Sequence, residues 1–272
     1  MIHFVVALPA EARPLIDRYR LRRRHAVGPF PVYEAETTAL IVSGVGKIAA
    51  AAATTYMHGL SGHPNDGWLN IGVAGHAERE LGQAALAHRI IDQATGRSWY
   101  PPLVFAAPCE TDAVLTVDQP TQTYAQPALY DMEASGFWQT ACRFSTAELV
   151  QCLKIVSDNA AHPAVNVSAD SVQALIEQQL ESIECVVRAL AALSAELAPL
   201  NGDPAELARF LARWRFTATE RGRLQRLLTR WHALYPAQSS WCAQLEALAS
   251  SSEVLRFLEE HLDCARTRLR AP

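Results

Sequence analysis

The sequence predicts an α/β domain with a mostly parallel or mixed sheet flanked by helices, followed by an all-α C-terminal extension. Three observations carry this. Short apolar, β-rich runs alternate with helix-like segments through the first part of the chain. Glycine-rich turns close two of those runs, in SGVGK (Ser43–Lys47) and GVAGH (Gly72–His76). After about Asn166 the β-rich runs stop, and helical periodicity continues to the end. The boundary is placed near residue 200, giving an α/β domain over 1–199 and a helical extension over 200–272.

In chain order, IHFVVAL (Ile2–Leu8) is a nearly continuous apolar run, the pattern of a strand buried on both faces. Pro9 suits the opening of a helix, PAEARPLIDRYRL, in which Pro14 predicts a bend or an early stop. ALIVSGVGKIAAAAATTYMHGL reads as strand, glycine turn and helix, and DGWLNIGVAG as a strand ending in a glycine-rich turn. AALAHRIID and AVLTVD are further strands. YDMEASGFWQTACRF, from Tyr130, reads as a helix with Glu133, Phe137, Ala141 and Phe144 on one stripe. ELVQCLKIVSD is a strand with a polar tip. SADSVQALIEQQLESIECVVRALAALSAEL opens on a Ser/Asp cap signal and runs on as a helix. NGDP breaks it, with Asp203 as an N-cap and Pro204 at the first helical position, and three more helical stretches follow.

Composition narrows the class. The 272 residues, half of them hydrophobic, suffice for one large domain or two smaller ones. A net charge of -4 gives no global case for nucleic acid or an anionic membrane. Lysine occurs only at Lys47 and Lys154; arginine carries the remaining positive charge. The six cysteines lie far apart with no CxxC pair, which argues against a cysteine zinc site and for reduced core thiols in a cytoplasmic protein. MIHFVVALPAEARPL lacks the basic n-region of a signal peptide, and no apolar run is long enough to span a bilayer.

In open α/β sheets ligands bind outside the carboxyl ends of the strands. There fall Glu11, SGVGK, GVAGH, Asp118 and Asp158, with Glu133 on the helix before the last strand. Taken singly, several have bland readings. SGVGK is not a P-loop, because its glycine spacing is too short and Ile48 follows the lysine. Glu11 suits the dipole of a helix first turn, and Asp158 suits a helix N-cap. His76 and His162 read as surface histidines. Glu133 is harder to dismiss, because a carboxylate on an apolar stripe must be paired, hydrogen-bonded or held for a ligand.

Taken together, ALPAEA, SGVGKIAAAAAT, NIGVAG, LTVD, YDMEASG and KIVSDNA, in that order, resemble the nucleoside phosphorylase/nucleosidase superfamily. The resemblance is nearest to its methylthioadenosine/S-adenosylhomocysteine nucleosidase branch and runs from Met1 to about residue 195. It implies cleavage of the N-glycosidic bond of a purine nucleoside, such as a 5′-substituted adenosine, through an oxocarbenium-like transition state. By that resemblance Asp158 protonates the purine at N7, Glu133 takes the ribose 2′ and 3′ hydroxyls, and Glu11 activates the attacking water. Met132 packs on the sugar, Ser157 helps hold the base, and Val73, Ala74, Gly75 and Asp131 complete the substrate site. It implies no metal, no cofactor and a homodimer. The chain departs from the family pattern at Val73, where a serine is usual, and at His76, where a glycine is. Lys154 stands for a nucleophile-positioning arginine and lacks its planar fork. Pro120 stands where an aromatic is usual. The segment between Asp92 and Val114 is short, which makes Trp99 or Tyr100 a candidate to fill the base site. A phosphorylase needs a cationic cradle, for which Arg13, Lys47 and Arg97 are the candidates. These departures leave open a catalytically degenerate, nucleoside-binding protein.

Between Arg209 and Arg230 lie seven arginines and one acid, Glu220, with Trp214, Phe216 and Trp231 interleaved. The pattern is either a helical bundle with a solvated arginine face and a tryptophan core, or a docking module for an acidic protein partner. A nucleic-acid face is the weaker alternative.

Overall fold

The structure, a computed structural model, describes residues 1–24, 28–121, 123–163, 167–197, 206–235, 240 and 242–268. The chain divides into two units, Met1–Glu196 and Leu197–Pro272.

The first unit is built on one mixed sheet, of ten strands among the described residues. The apolar run at the start forms β1 (Ile2–Val6), buried along its whole length between two parallel neighbours, β4 (Thr38–Val42) and β5 (Gly67–His76). Beyond β4 the edge is finished by β3 (Val32–Glu34) and β2 (Arg22–Arg23), both antiparallel; the exposed arginines of β2 end the sheet on a charged edge. On the other side β5 pairs in parallel with β10 (Val150–Asn159). β10 runs antiparallel to β6 (Ala84–Asp92), and β6 parallel to β8 (Glu110–Thr116). β8 in turn pairs with β9 (Leu129–Asp131), which returns to β5 through the single pair Gly75–Tyr130. Strands β5, β10, β6, β8 and β9 thus close a ring, with β1, β4, β3 and β2 extending from it. Closure removes the free edges of those five strands.

Helix α1 (Pro9–Tyr19) starts on Pro9, keeps Pro14 inside without stopping, and ends on Arg20 in the left-handed region. Helices α2 (Lys47–Ser61) and α3 (Ala134–Ala141) pack on the core formed by Ala50, Ala53, Met57, Trp68, Phe137 and Trp138. Gly136 is required there: a Cβ would lie 2.0 Å from the Lys47 carbonyl oxygen.

Three expectations need correction. The stretch from Tyr130 is not helical from its start. Tyr130 and Asp131 belong to β9, because β8 offers a parallel ladder to Leu129–Asp131, and the helix begins at Ala134. Phe144 lies beyond the helix and stacks on His58, ring centroids 4.0 Å apart. The long helix after Ser168 is two, α4 (Ala169–Gln178) and α5 (Leu180–Leu197). Ser168 caps α4 by accepting the Ser171 N–H, as its sequence signal predicts. Asp203 and Pro204 lie outside the described residues.

The second unit is helical, with α6 (Leu207–Arg213), α7 (Ala218–Leu234), α8 (Ala243–Glu246) and α9 (Ser251–Arg268). Thr217 and Glu220 form a reciprocal cap at the start of α7. Trp214 and Trp231 are buried with Phe210, Leu224, Leu228 and Leu258, so these tryptophans are core residues. The Trp214 indole N–H donates to the Leu248 carbonyl at 3.1 Å. Arg223 grips Glu259 with two hydrogen bonds, at 2.7 and 2.6 Å, so the arginine face is partly paired within the unit. Among the described residues no helix is long and apolar enough to cross a membrane.

Candidate active site

The carboxyl ends of β5 and β10 meet at one cavity of about 310 Å³. Its wall includes Glu11, Val73, Ala74, Gly75, Asp131, Met132, Glu133, Ser157 and Asp158. Glu11, Glu133 and Asp158 are all buried in the protein and open to this cavity.

Glu11 sits in the first turn of α1 and turns inward. Its Oε2 accepts the N–H groups of Ala7 and Leu8 at 2.9 and 2.8 Å, and its Oε1 accepts that of Val73 at 3.0 Å. Burial pushes its carboxyl above the usual range, against the pull of those N–H groups and of the Lys154 charge. Gly72 makes room for this: a Cβ there would lie 2.8 Å from Glu11 Oε1 and 3.4 Å from Lys154 Nζ.

Glu133 immediately precedes α3. Its Oε1 accepts the Gly46 N–H at 2.8 Å. Gly44 and Gly46 both have positive φ, 80° and 105°, which explains the glycines of SGVGK: they turn a backbone donor toward the acid. Burial raises the Glu133 carboxyl to about 7, with Asp131 and Glu11 adding to the rise and Lys154 and Gly46 opposing it.

Asp131 also lines the cavity, but its oxygens are engaged. Oδ1 accepts the Thr116 hydroxyl at 2.7 Å. Oδ2 accepts the N–H groups of Ala134 and Glu133, at 2.7 and 3.2 Å, and pairs with Lys154 Nζ at 2.9 Å. Asp131 therefore anchors the start of α3 and neutralises the lysine. Lys154, only 1% exposed, lies behind the cavity wall; burial lowers its affinity for a proton, but Asp131 and Glu133 outweigh this and keep it cationic.

Asp158 is the penultimate residue of β10 and lies beyond a register shift. Val156 pairs with Ala74 and Asp158 with Gly75, so Ser157 is the extra residue of a β-bulge. Successive strand residues point to opposite faces, yet here both Ser157 and Asp158 line the cavity. The Ser157 hydroxyl donates to Asp158 Oδ1 at 2.6 Å. The other oxygen, Oδ2, accepts the hydroxyl of Tyr124, a residue the sequence pattern did not single out.

Several expected participants lie elsewhere. Trp99 pairs with Ile90 in β7 (Ser98–Trp99), because the chain reverses at Gly96 and runs back along β6. It lines a separate cavity with Arg97 and Trp138. Tyr100 is 66% exposed beneath Arg89. Tyr124 and Pro120 occupy the wall where those aromatics were expected. Asp118 is no part of the cavity wall and pairs with Lys47 at 2.8 Å. His76 is buried, not a surface group: its Nδ1 accepts the N–H groups of Glu78 and Arg79, each at 3.0 Å. His162 is exposed.

No family model and no curated protein matches the sequence. Solved structures do match the fold. The 5′-methylthioadenosine nucleosidase of Arabidopsis thaliana, in its apo form, is 16% identical, with a TM-score of 0.58 over 70% of this chain and 95% of that one. A mutant of the Helicobacter pylori MTAN, with 5′-methylthioadenosine in the active site, is 14% identical, with a TM-score of 0.59 over 69% and 97%. The futalosine hydrolase of Helicobacter pylori is 15% identical, with a TM-score of 0.54 over 69% and 97%. The chain shares the fold of these solved structures: a mixed sheet with flanking helices, here followed by a helical part.

Proposed function

We propose that the protein hydrolyses the N-glycosidic bond of a purine nucleoside. One observation carries this: Glu11, Glu133 and Asp158, far apart in sequence, surround a single cavity at the strand ends. Its volume, about 310 Å³, is at the lower end for small-molecule sites and suits a nucleoside. The solved structures of like fold are nucleosidases and a futalosine hydrolase, which supports the same chemistry here.

In this scheme the base lies toward Asp158 and the sugar toward Glu133. The carboxyl of Asp158 donates a proton to purine N7 as the C1′–N9 bond breaks and its electron pair passes to the base. Glu133 has one oxygen on Gly46 and turns the other to the ribose hydroxyls, where its charge offsets the positive charge growing on the ring. Glu11, raised by burial and fixed by three N–H groups, takes a proton from the water that attacks C1′. Lys154 keeps its charge behind the two glutamates and orients them by electrostatic attraction. Met132 and Val73 supply apolar walls.

Water is favoured over phosphate as nucleophile. Arg13 pairs with Asp17 on an exposed helix face, Lys47 is taken by Asp92 and Asp118, and Arg97 lines a different cavity. Incubation with adenosine, inosine and 5′-methylthioadenosine, with and without phosphate, tests the scheme by chromatography of free base. Phosphate-independent release is expected. Release that requires phosphate selects phosphorolysis, and a thermal shift without release selects binding alone.

A further inference from the structure

We propose that the protein carries a second binding site, for a phosphoryl group either free or borne by a nucleotide, in the cavity between the β6–β7 hairpin and the C-terminal end of α3. The site is separate from the nucleosidase scheme and does not depend on it.

This cavity measures about 420 Å³ and shares no lining residue with that of Glu11, Glu133 and Asp158. Arg97 enters its wall just after the Gly96 reversal, and Arg143 just after Cys142, the cap of α3. Both arginines are exposed, and neither guanidinium has an ion-pair or hydrogen-bond partner among the described residues. Arg13, Arg18, Arg24 and Arg79 of the same unit are each paired with a carboxylate. Among the described residues no Asp or Glu lines this cavity. Ser98, also in the wall, accepts Arg89 Nη2 at 3.0 Å, and its own hydroxyl proton has no acceptor among the described residues. Arg89 adds a third positive charge behind Ser98. Its partners there are that hydroxyl and the ring of Tyr100, and its Nε is buried without an acceptor. The indole N–H groups of Trp99 and Trp138, in the same wall, also lack acceptors among the described residues, and neither is sealed from solvent as that of Trp68 is.

A wall of unpaired donors and cations is complementary to an oxyanion. Each guanidinium presents a planar fork that pairs two oxygens of a phosphate at once. The charge of a phosphate ester, about −2, also answers several cations better than a single carboxylate does. The volume exceeds what a lone phosphate fills and lies within the range of small-molecule sites, and the two indoles offer flat apolar surface to a base. Some features oppose an anion. Helix α3 ends here, so the negative end of its dipole is near, though that influence is confined to the last turn and screened at a surface. Glu148 is close enough to act on Cys142; burial, and next Glu148, push that thiol up to about 12, so it adds no charge of its own. Asp92, at the root of the hairpin, is already taken by Lys47, Ser135 and Thr95. Gln139 spends an amide proton on the Ser135 carbonyl at 3.1 Å and leaves its oxygen as an acceptor. Three guanidiniums without a carboxylate outweigh these.

Titration calorimetry of the full chain with inorganic phosphate, AMP, adenosine and chloride tests this. Saturable binding of AMP or phosphate is expected, weakening as salt is raised. In the double variant Arg97→Gln/Arg143→Gln it should fall by about tenfold or more, because charge-assisted hydrogen bonds are lost. A thermal melt checks that this variant folds, as exposed and unpaired side chains allow. Adenosine reports the other cavity, and its binding should not respond to the arginine pair. Asp158→Asn, in that other cavity, should leave the arginine-dependent part of AMP binding intact. AMP binding tighter than phosphate assigns the nucleotide as the ligand; equal affinity assigns the free anion. Binding of neither, binding that chloride matches, or binding that the double variant retains in full overturns the proposal. Absence of base release in the nucleoside assay sinks the nucleosidase scheme alone and leaves this site standing.

Discussion

At the Glu11–Glu133 end of the cavity, the acids are fastened by backbone N–H groups and share a buried ammonium with Asp131. At the other end, Asp158 is held by the hydroxyls of Ser157 and Tyr124, one on a bulge and one on a connecting segment. Backbone donors move only if the fold moves; hydroxyls rotate. The first end is therefore part of the protein's stability, whereas the second can be altered with little cost to the fold. That suits the two tasks, since a developing cation needs fixed charge and a departing base needs a partner that changes state.

This contrast can be broken at either end. The largest effect is expected at Asp158. Asp158→Asn should lower base release by about 10²–10⁴-fold while the melting temperature stays close to that of the unaltered protein; a melt that collapses would mean this end is structural after all. Lys154→Met should do the reverse. It leaves Asp131 and two further acids without their buried cation, a loss of about 3–5 kcal/mol in urea unfolding. A variant of unaltered stability would contradict the account of the first end.

Glu133→Gln sharpens the contrast through pH. Burial holds Glu133 at about 7 against an ordinary 4.5, so ionising it costs the fold free energy. That cost is absent below about 4.5, grows across the interval and is complete above about 7. Glu133→Gln should therefore be more stable than the unaltered protein at pH 8 by about 2–3 kcal/mol, a gain that vanishes near pH 4. It should also lose turnover. Equal pH dependence of the two melting curves would rule this out. Ser157→Ala is expected to act least, slowing base release by about tenfold or less with no change in melting; an effect as large as that of Asp158→Asn would make the serine a full partner in the chemistry.

Much of the first unit was legible because its strands are buried on both faces, as in Ile2–Val6 and Val150–Val156, and read as runs that are apolar apart from His3, Gln151 and Lys154. β9 was not legible. It is three residues long, and its tail merges with the helical pattern that follows, so Glu133 was placed on a helix stripe when it stands just before the helix. The acids could be named from spacing, since each falls at or near a strand end. Tyr124 could not. It sits in the polar stretch after Asp118, where neither alternation nor helical period marks a residue, and only the closing of β9 onto β5 brings it over Asp158. The shift that carried Trp99 away is of the same kind: a reversal at one glycine decides which side of the sheet an aromatic serves.

Gly136 shows how far such decisions reach. No side chain, charge or catalytic group belongs to it, yet one added methyl would wedge α3 off the start of α2 at the Lys47 carbonyl. The turn that offers Gly46 to Glu133 ends where that carbonyl begins, so the wedge would re-aim the acid from outside the cavity. The aim of a charged side chain here is fixed by an atom the chain omits, and a homologue with alanine at this position would need its two helices docked at another spacing to keep the same pocket.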